Sequence, residues 1–167
     1  MQRSHDLATI LGAYVAALAA AAVCVWVLDD WSSVWRAGIA DVVATAVIFG
    51  FARAYDNSSF YDPYWSVAPP VLLAYWWAAH GDGGIRIVAL AVLVGLWSVR
   101  LTHNWVRGWQ GLAHQDWRYT DLRANTGRWY PLVDLLGIQM LPTVLVFIGS
   151  LPVWLILQGE VLPLRRY

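Results

Sequence analysis

The chain has 167 residues, is 59% hydrophobic and has a mean hydropathy of +0.50, with only 13% charged residues. That charge content is well below the roughly 25% of soluble domains and excludes an ordinary soluble fold. The formal net charge is zero, which argues against nucleic acid as a partner, and the lone Cys24 excludes an internal disulfide. The expectation is a single all-α, polytopic integral membrane domain over 1–167, a helical bundle of about five transmembrane helices.

The first apolar run covers 7–28. It is too long for the core of a secretion signal of ~7–15 residues and reads as a retained helix closed by Asp29 and Asp30. The second span covers 38–55, contains Asp41 and Thr45, and ends near Arg53. A polar and aromatic loop, DNSSFYDPYWS over 56–66, follows. Pro69 and Pro70 suit the first turn of a third span over 67–79. That span is short for a ~30 Å hydrocarbon core, so the expectation is either a smaller tilt or a start below the interface with the loop tucked behind it. Residues 81–84 form a tight turn, and the fourth span runs from Ile85 into the tract WSVRLTHNWVRGWQGLAHQDWRY at 97–119. The longest polar loop is 108–131. The fifth span, 132–157, carries Pro142 and Pro152 as expected kinks.

Arginine placement orients the bundle. With the 107–128 loop in the cytoplasm, Arg3 and Arg53 are cytoplasmic and Asp29, Asp30 and Asp82 lie outside. Arg165 and Arg166 are the exception. The chain is therefore expected in a bacterial inner membrane with its N-terminus cytoplasmic. Twelve Trp residues fit aromatic belts at the two interfaces, or a pocket for a flat ligand.

Four groups of residues could carry chemistry. Arg100, His103, Asn104 and Arg107 recur at i, i+3, i+4 and i+7, which places them on one helix face. That face either grips an anionic ligand or snorkels to headgroups. The segment HQDWRYTDLR at 114–123 mixes Asp116 and Asp121 with Arg118 and Arg123. It is either a solvated loop with surface ion pairs or a grip for an anionic cofactor whose arginines are held by the aspartates. All 11 basic residues are Arg, which suits bidentate contact with phosphate, although GC-rich coding produces the same bias. In NSSFYDPYWS, Tyr61 and Tyr64 flank Asp62, a pattern able to donate to a carbonyl oxygen gaining charge and equally an interfacial aromatic cluster with an Asp-Pro turn. Asp41 is an intramembrane carboxyl, a functional candidate by cost alone, or a capping residue near a helix start. No metal site is expected: His5, His80, His103 and His114 are scattered, and neither HExxH nor paired CxxC occurs. No GxGxxG or nucleophile elbow occurs either.

Two stretches together, NSSFYDPYWSVAPP at 57–70 and RLTHNWVRGWQGLAHQDWRY at 100–119, resemble the bacterial DUF1295 family, which is related to the steroid 5-alpha-reductases. The resemblance runs from about Asp41 to the fifth span. It implies a multi-span helical fold and NADPH-dependent reduction of an activated C=C bond, typically an enone in a steroid-like or other membrane lipid. It also implies that Asn104, Asp116, Arg118 and Arg123, with Arg100, His103 and Arg107 beside them, contact NADPH. Tyr61 or Tyr64, aided by Asp62 or Asp41, would stabilise the enolate oxygen. Gln115 stands where the family often has Glu. Relative to the family pattern, further C-terminal spans that supply much of the cofactor site are missing. The alternatives are a truncated, non-catalytic lipid-binding protein, or one completed by a second polypeptide, and a membrane methyltransferase using S-adenosylmethionine.

Overall fold

Helices are the only open-ended structures that satisfy their own backbone in hydrocarbon, and the computed structural model, which describes residues 2–81 and 84–159, is all helical. Its elements are α1 (Gln2–Val27), α2 (Ser33–Ala54), a buried 3-10 turn (Ser58–Tyr61), α3 (Tyr64–His80), α4 (Gly84–Gly108), α5 (Trp117–Thr126), a 3-10 turn (Gly127–Trp129), α6 (Tyr130–Val133), a π-helical stretch (Asp134–Met140) and α7 (Leu141–Gln158). Four helical stretches are long and apolar enough to cross a membrane: 3–27, 33–54, 84–108 and the run 117–158. The shorter α3 packs between α4 and α7, while α1 packs along α2. Large side chains such as Leu11, Val92, Leu93, Leu96, Leu145 and Ile148 face outward in mid-helix, the inverse of a soluble fold and the surface a lipid tail wets. Trp26, Trp31 and Trp35 are exposed near one end of the bundle and Trp117 and Trp129 near the other, as interfacial belts require.

The two ends are held differently. At the loop end, the Arg3 guanidinium donates to Val106 O at 2.6 Å, and Asp6 accepts from Leu112 N at 3.1 Å. Gly111 permits that approach. It has φ +107°, and a Cβ there would lie 2.9 Å from Asp6 Oδ2. Asn57 joins the 3-10 turn to the loop after α4. Its Oδ1 accepts from Ser59 N at 2.9 Å, and its Nδ2 donates to Leu112 O at 2.8 Å and His114 O at 3.0 Å. At the opposite end, Arg36 donates to Val25 O at 2.8 Å and pairs with Asp29 at 3.2 Å, capping α1. There too Ser33 Oγ lies 2.7 Å from His80 Nε2 and accepts from Trp154 Nε1 at 3.0 Å, tying the ends of α2, α3 and α7.

Three expectations change. The third span begins at Tyr64, so Pro69 and Pro70 lie inside α3 rather than in its first turn. Pro70 has no N–H for the carbonyl of Ser66, four residues back. Ser98 Oγ of α4 donates to that carbonyl at 2.5 Å, and Ser66 Oγ meets Thr102 Oγ1 at 2.8 Å. A neighbouring helix supplies the missing donor. Second, the polar loop 108–131 contains α5, whose N-cap Asp116 accepts from Arg118 N. Third, the fifth span widens into a π-helical stretch just before Pro142. The wider turn accommodates a ring that would otherwise clash with the preceding turn. The expected loop at 56–66 is mostly buried: residues 58–61 form the 3-10 turn, and 64–66 are the first turn of α3. Asp82, Arg165 and Arg166 lie outside the described residues.

Two outcomes follow for stability in detergent. Asn57→Ala removes three hydrogen bonds and orphans two carbonyls, with an expected cost on the order of 1–3 kcal/mol; the thermal midpoint should fall by several degrees while the exposed Asp121→Ala leaves it unchanged. Ser98→Ala orphans the Ser66 carbonyl and should also lower the midpoint, and Pro70→Ala in that background, which restores the helical N–H, should recover much of the loss. A double-mutant cycle that shows no coupling would refute this account of the proline pair.

Candidate functional site

Asp41 and Thr45 are four residues apart on α2 and share its buried face. Tyr61 ends the 3-10 turn and Tyr64 begins α3; their rings stack with centroids 4.9 Å apart and planes inclined by 16°. Despite that contact the two phenols serve different partners. Tyr61 Oη lies 2.7 Å from Thr143 Oγ1, which in turn lies 2.7 Å from Thr45 Oγ1. Thr45 also sits 3.0 Å from Asp41 O. Thr143 Oγ1 also lies 2.9 Å from Gln139 O, so its single proton goes either to that carbonyl or to Thr45, and in both assignments Thr143 accepts from Tyr61. The Tyr61 proton is thereby spent within the protein. Tyr64 Oη instead donates to Asp41 Oδ1 at 2.5 Å and lies 3.1 Å from Asp41 O. Asp41 Oδ2 is buried with no hydrogen-bond partner among the described residues.

Asp41 and Tyr64 open onto a cavity of about 370 Å³ between α1, α2 and α3, within the size range of small-molecule sites. Its walls are apolar because small residues, among them Ala17, Ala21, Ala40, Ala44 and Ala68, leave space where larger side chains would close the helices. Tyr61 does not line this cavity.

Asp62, between the two tyrosines, turns the other way. It accepts from Tyr119 Oη at 2.6 Å and, with Ser59, Trp105, Trp109, His114 and Asp116, lines a second cavity of about 190 Å³ at the loop end. Burial pushes its carboxyl above the ordinary carboxylate range, against the lowering effect of the hydrogen bonds from Tyr119 and Ser59. Residues 62 and 64 therefore face separate cavities, and Asp62 is not the partner of either tyrosine.

The predicted face of Arg100, His103, Asn104 and Arg107 forms on α4 and is exposed along its length. Ser98, Thr102, Trp105 and Trp109 occupy the packed side of the helix instead. Neither cavity is lined by the four polar residues, and their side chains make no hydrogen bond or ion pair among the described residues. Asp116 accepts from Arg118 Nε at 2.9 Å and Nη2 at 2.8 Å, and this guanidinium holds the Asp116 carboxyl below its usual range. Arg123 is gripped by Asp56 through two 2.8 Å bonds, and its guanidinium lies 4.6 Å from the centroid of the Tyr130 ring. Those bonds depress the Asp56 carboxyl. Aspartates do orient both arginines, but the partner of Arg123 is Asp56; Asp121 accepts from Asn125.

Sequence reasoning did not single out Thr143, Gln139 or Asp134. All three are buried, with Gln139 Nε2 donating to Asp134 Oδ1 at 3.1 Å across the π-helical stretch. The signal was present as polar residues inside an apolar span. Nor did it identify Asn57 and Ser58 as structural. Ser58 Oγ meets Tyr130 Oη at 2.7 Å, and Ser59 Oγ accepts from Asp116 N at 3.2 Å. The two motifs are thus adjacent in space and bonded to each other.

No solved structure matches the chain. An uncharacterized protein of Schizosaccharomyces pombe is 25% identical over 114 residues, 65% of this chain and 33% of the yeast protein, so the chain spans about a third of the length of that relative. The family model described as "Protein of unknown function (DUF1295)" matches residues 48–164, which takes in the 3-10 turn, α3 to α7, and both tyrosines with the loop-end arginines. The chain belongs to the DUF1295 family and is an integral membrane protein of that family.

Proposed function

We propose that the chain forms the substrate-binding part of a membrane reductase that acts on the activated C=C bond of a lipid or steroid-like enone. The observation that carries this reading is the Asp41–Tyr64 pair set in an otherwise apolar cavity between lipid-exposed helices. An apolar ligand enters such a cavity from the bilayer, and its carbonyl is the one group that needs a polar partner there. As the pair stands, Tyr64 Oη donates to Asp41 Oδ1; protonation of Asp41 would reverse that bond and free the phenolic O–H to bond the ligand oxygen. That bond strengthens as the oxygen becomes an enolate, which is the condition for catalysis rather than mere binding. The apolar alanine walls exclude water and hold the ring system.

NADPH, when bound, supplies the hydride that adds to the β-carbon; water or an acid supplies the proton to the α-carbon. The cationic groups at the loop end suit its phosphates in part. Arg100, His103 and Arg107 are exposed and unpaired among the described residues, and Arg118 retains a free Nη1. The charges of Arg118 and Arg123 are offset by Asp116 and Asp56, and the loop-end cavity is small for a dinucleotide and lined by two carboxylates. The described residues therefore fit one wall of a cofactor site. That partial fit also supports a second reading, in which this chain binds lipid and a separate polypeptide completes the site. The concentration of Arg3, Arg53, Arg107, Arg118, Arg123 and Arg128 at the loop end supports a cytoplasmic N-terminus.

Purified protein in detergent with NADPH and a panel of enones tests the reading. Turnover is expected, with Tyr64→Phe lowering kcat by about 10²–10³-fold at little change in KM. Asp41→Ala, which removes the group that turns the phenol, should slow the reaction comparably, and Tyr61→Phe by much less. Equal effects at Tyr61 and Tyr64 would sink the assignment of Tyr64. Stabilisation by S-adenosylmethionine and not by NADPH, read as a thermal shift, would replace reduction with methyl transfer.

A further inference from the structure

The loop-end cavity has a charge pattern that the proposed reduction leaves unused. Two carboxyl groups, Asp62 and Asp116, and two indoles, Trp105 and Trp109, share its wall. The carboxyls are not equivalent. Arg118 is bidentate on Asp116 and neutralises it. Asp62 accepts only from neutral hydroxyls, those of Tyr119 and Ser59, and among the described residues no cation pairs with it. Trp105 and Trp109 lie one turn apart where α4 ends, their ring centroids separated by 5.5 Å and their planes inclined by 34°. Indole faces attract cations, and the end of a helix carries the negative end of its dipole. Among the described residues no arginine lines the cavity, and His114 is its one basic side chain. Carboxyl, rings and helix end all favour a cation there.

A cation alone leaves one group unsatisfied. Trp109 is only 7% exposed, and its Nε1 is buried with no partner among the described residues. A buried indole N–H ordinarily finds an acceptor, and it can only donate. The occupant must therefore bring an oxygen as well as a positive charge. The volume of about 190 Å³ holds roughly six water-sized groups at about 30 Å³ each, which admits a small amine and not a nucleotide. We propose that this cavity binds an aminoalcohol cation of the ethanolamine class, its ammonium on Asp62 beside the two indoles and its oxygen accepting from Trp109 Nε1. Free ethanolamine and the headgroup of phosphatidylethanolamine present the same ammonium and neighbouring oxygen. The site is separate from the Asp41–Tyr64 cavity, and binding there does not depend on reduction.

Binding to the full chain without NADPH tests this. The protein is placed in nanodiscs of phosphatidylglycerol, which carries no amine, in sodium chloride buffer. Labelled ethanolamine, labelled ethylamine and a water-soluble short-chain phosphatidylethanolamine are titrated in turn. Ethanolamine is expected to bind saturably and about five- to tenfold more tightly than ethylamine, which has the ammonium and lacks the oxygen. Trp109→Phe keeps a ring and removes the N–H; it should abolish that preference and leave ethylamine within about twofold of wild type. Asp62→Asn can still accept from Tyr119, and should weaken both amines by about tenfold or more. Tighter binding of the short-chain lipid than of free ethanolamine would identify the occupant as a headgroup, and the reverse as a soluble amine. No saturable binding of ethanolamine or of the lipid, equal affinity for ethanolamine and ethylamine in the wild type, or wild-type binding of both amines by Asp62→Asn would each overturn the proposal. Enone turnover without any of this binding would leave the reductase reading intact and remove this one.

Discussion

A polar group inside hydrocarbon has no water to bond, so it must find a partner on another part of the chain. Most of what is specific about this bundle follows from that constraint. Pro70 frees a carbonyl in α3, and Ser98 of α4 answers it. Thr45 of α2, Thr143 of α7 and Tyr61 of the 3-10 turn close on one another, which sets how far α2 and α7 slide past each other. Arg36 reaches back to the free carbonyl of Val25 at the end of α1. Apolar packing between helices is permissive in lipid, because lipid tails compete with it on nearly equal terms. The polar pairs therefore select the register that packing alone leaves open.

The same constraint makes its exceptions informative. Asp41 Oδ2 and Tyr75 Oη are buried without partners, and both belong to residues on the wall of one cavity. Trp109 Nε1, Arg123 Nε and Gln139 Oε1 are likewise buried without partners among the described residues, while the buried or half-buried hydroxyls of Tyr14, Tyr61, Ser66 and Ser98 are paired at 2.5–3.1 Å.

The 3-10 turn from Ser58 to Tyr61 acts as a partition. On one side Tyr64 meets Asp41 in the bilayer-level cavity; on the other, Ser59 and Asp62 face the loop-end cavity beside Trp105, Trp109, His114 and Asp116. Asn57 fastens this partition to the loop after α4, and the Asp56–Arg123 pair fastens it to α5. A lipid entering between helices and a polar species approaching from the aqueous side would thus meet on opposite faces of one short, well-held segment.

By itself the sequence determined the class of fold, the approximate spans and the shared face of Arg100, His103, Asn104 and Arg107. Those depend on local hydrophobicity and on the helical repeat, which are properties of consecutive residues. It could not show α5, whose side chains are too polar for an apolar period to mark it and whose start rests on the Asp116 cap. Nor could it show the widened turn before Pro142. The tertiary structure alone decided which tyrosine meets a carboxyl. Tyr61, Asp62 and Tyr64 sit within four residues of one another, yet a turn of backbone sends them to Thr143, Tyr119 and Asp41 respectively. Partner choice depends on the direction of each side chain and on what a distant helix presents there, and neither is written in the spacing of neighbours. The unpartnered Tyr75 was invisible for the same reason: the absence of a partner is a property of the whole packed surroundings, not of the residue.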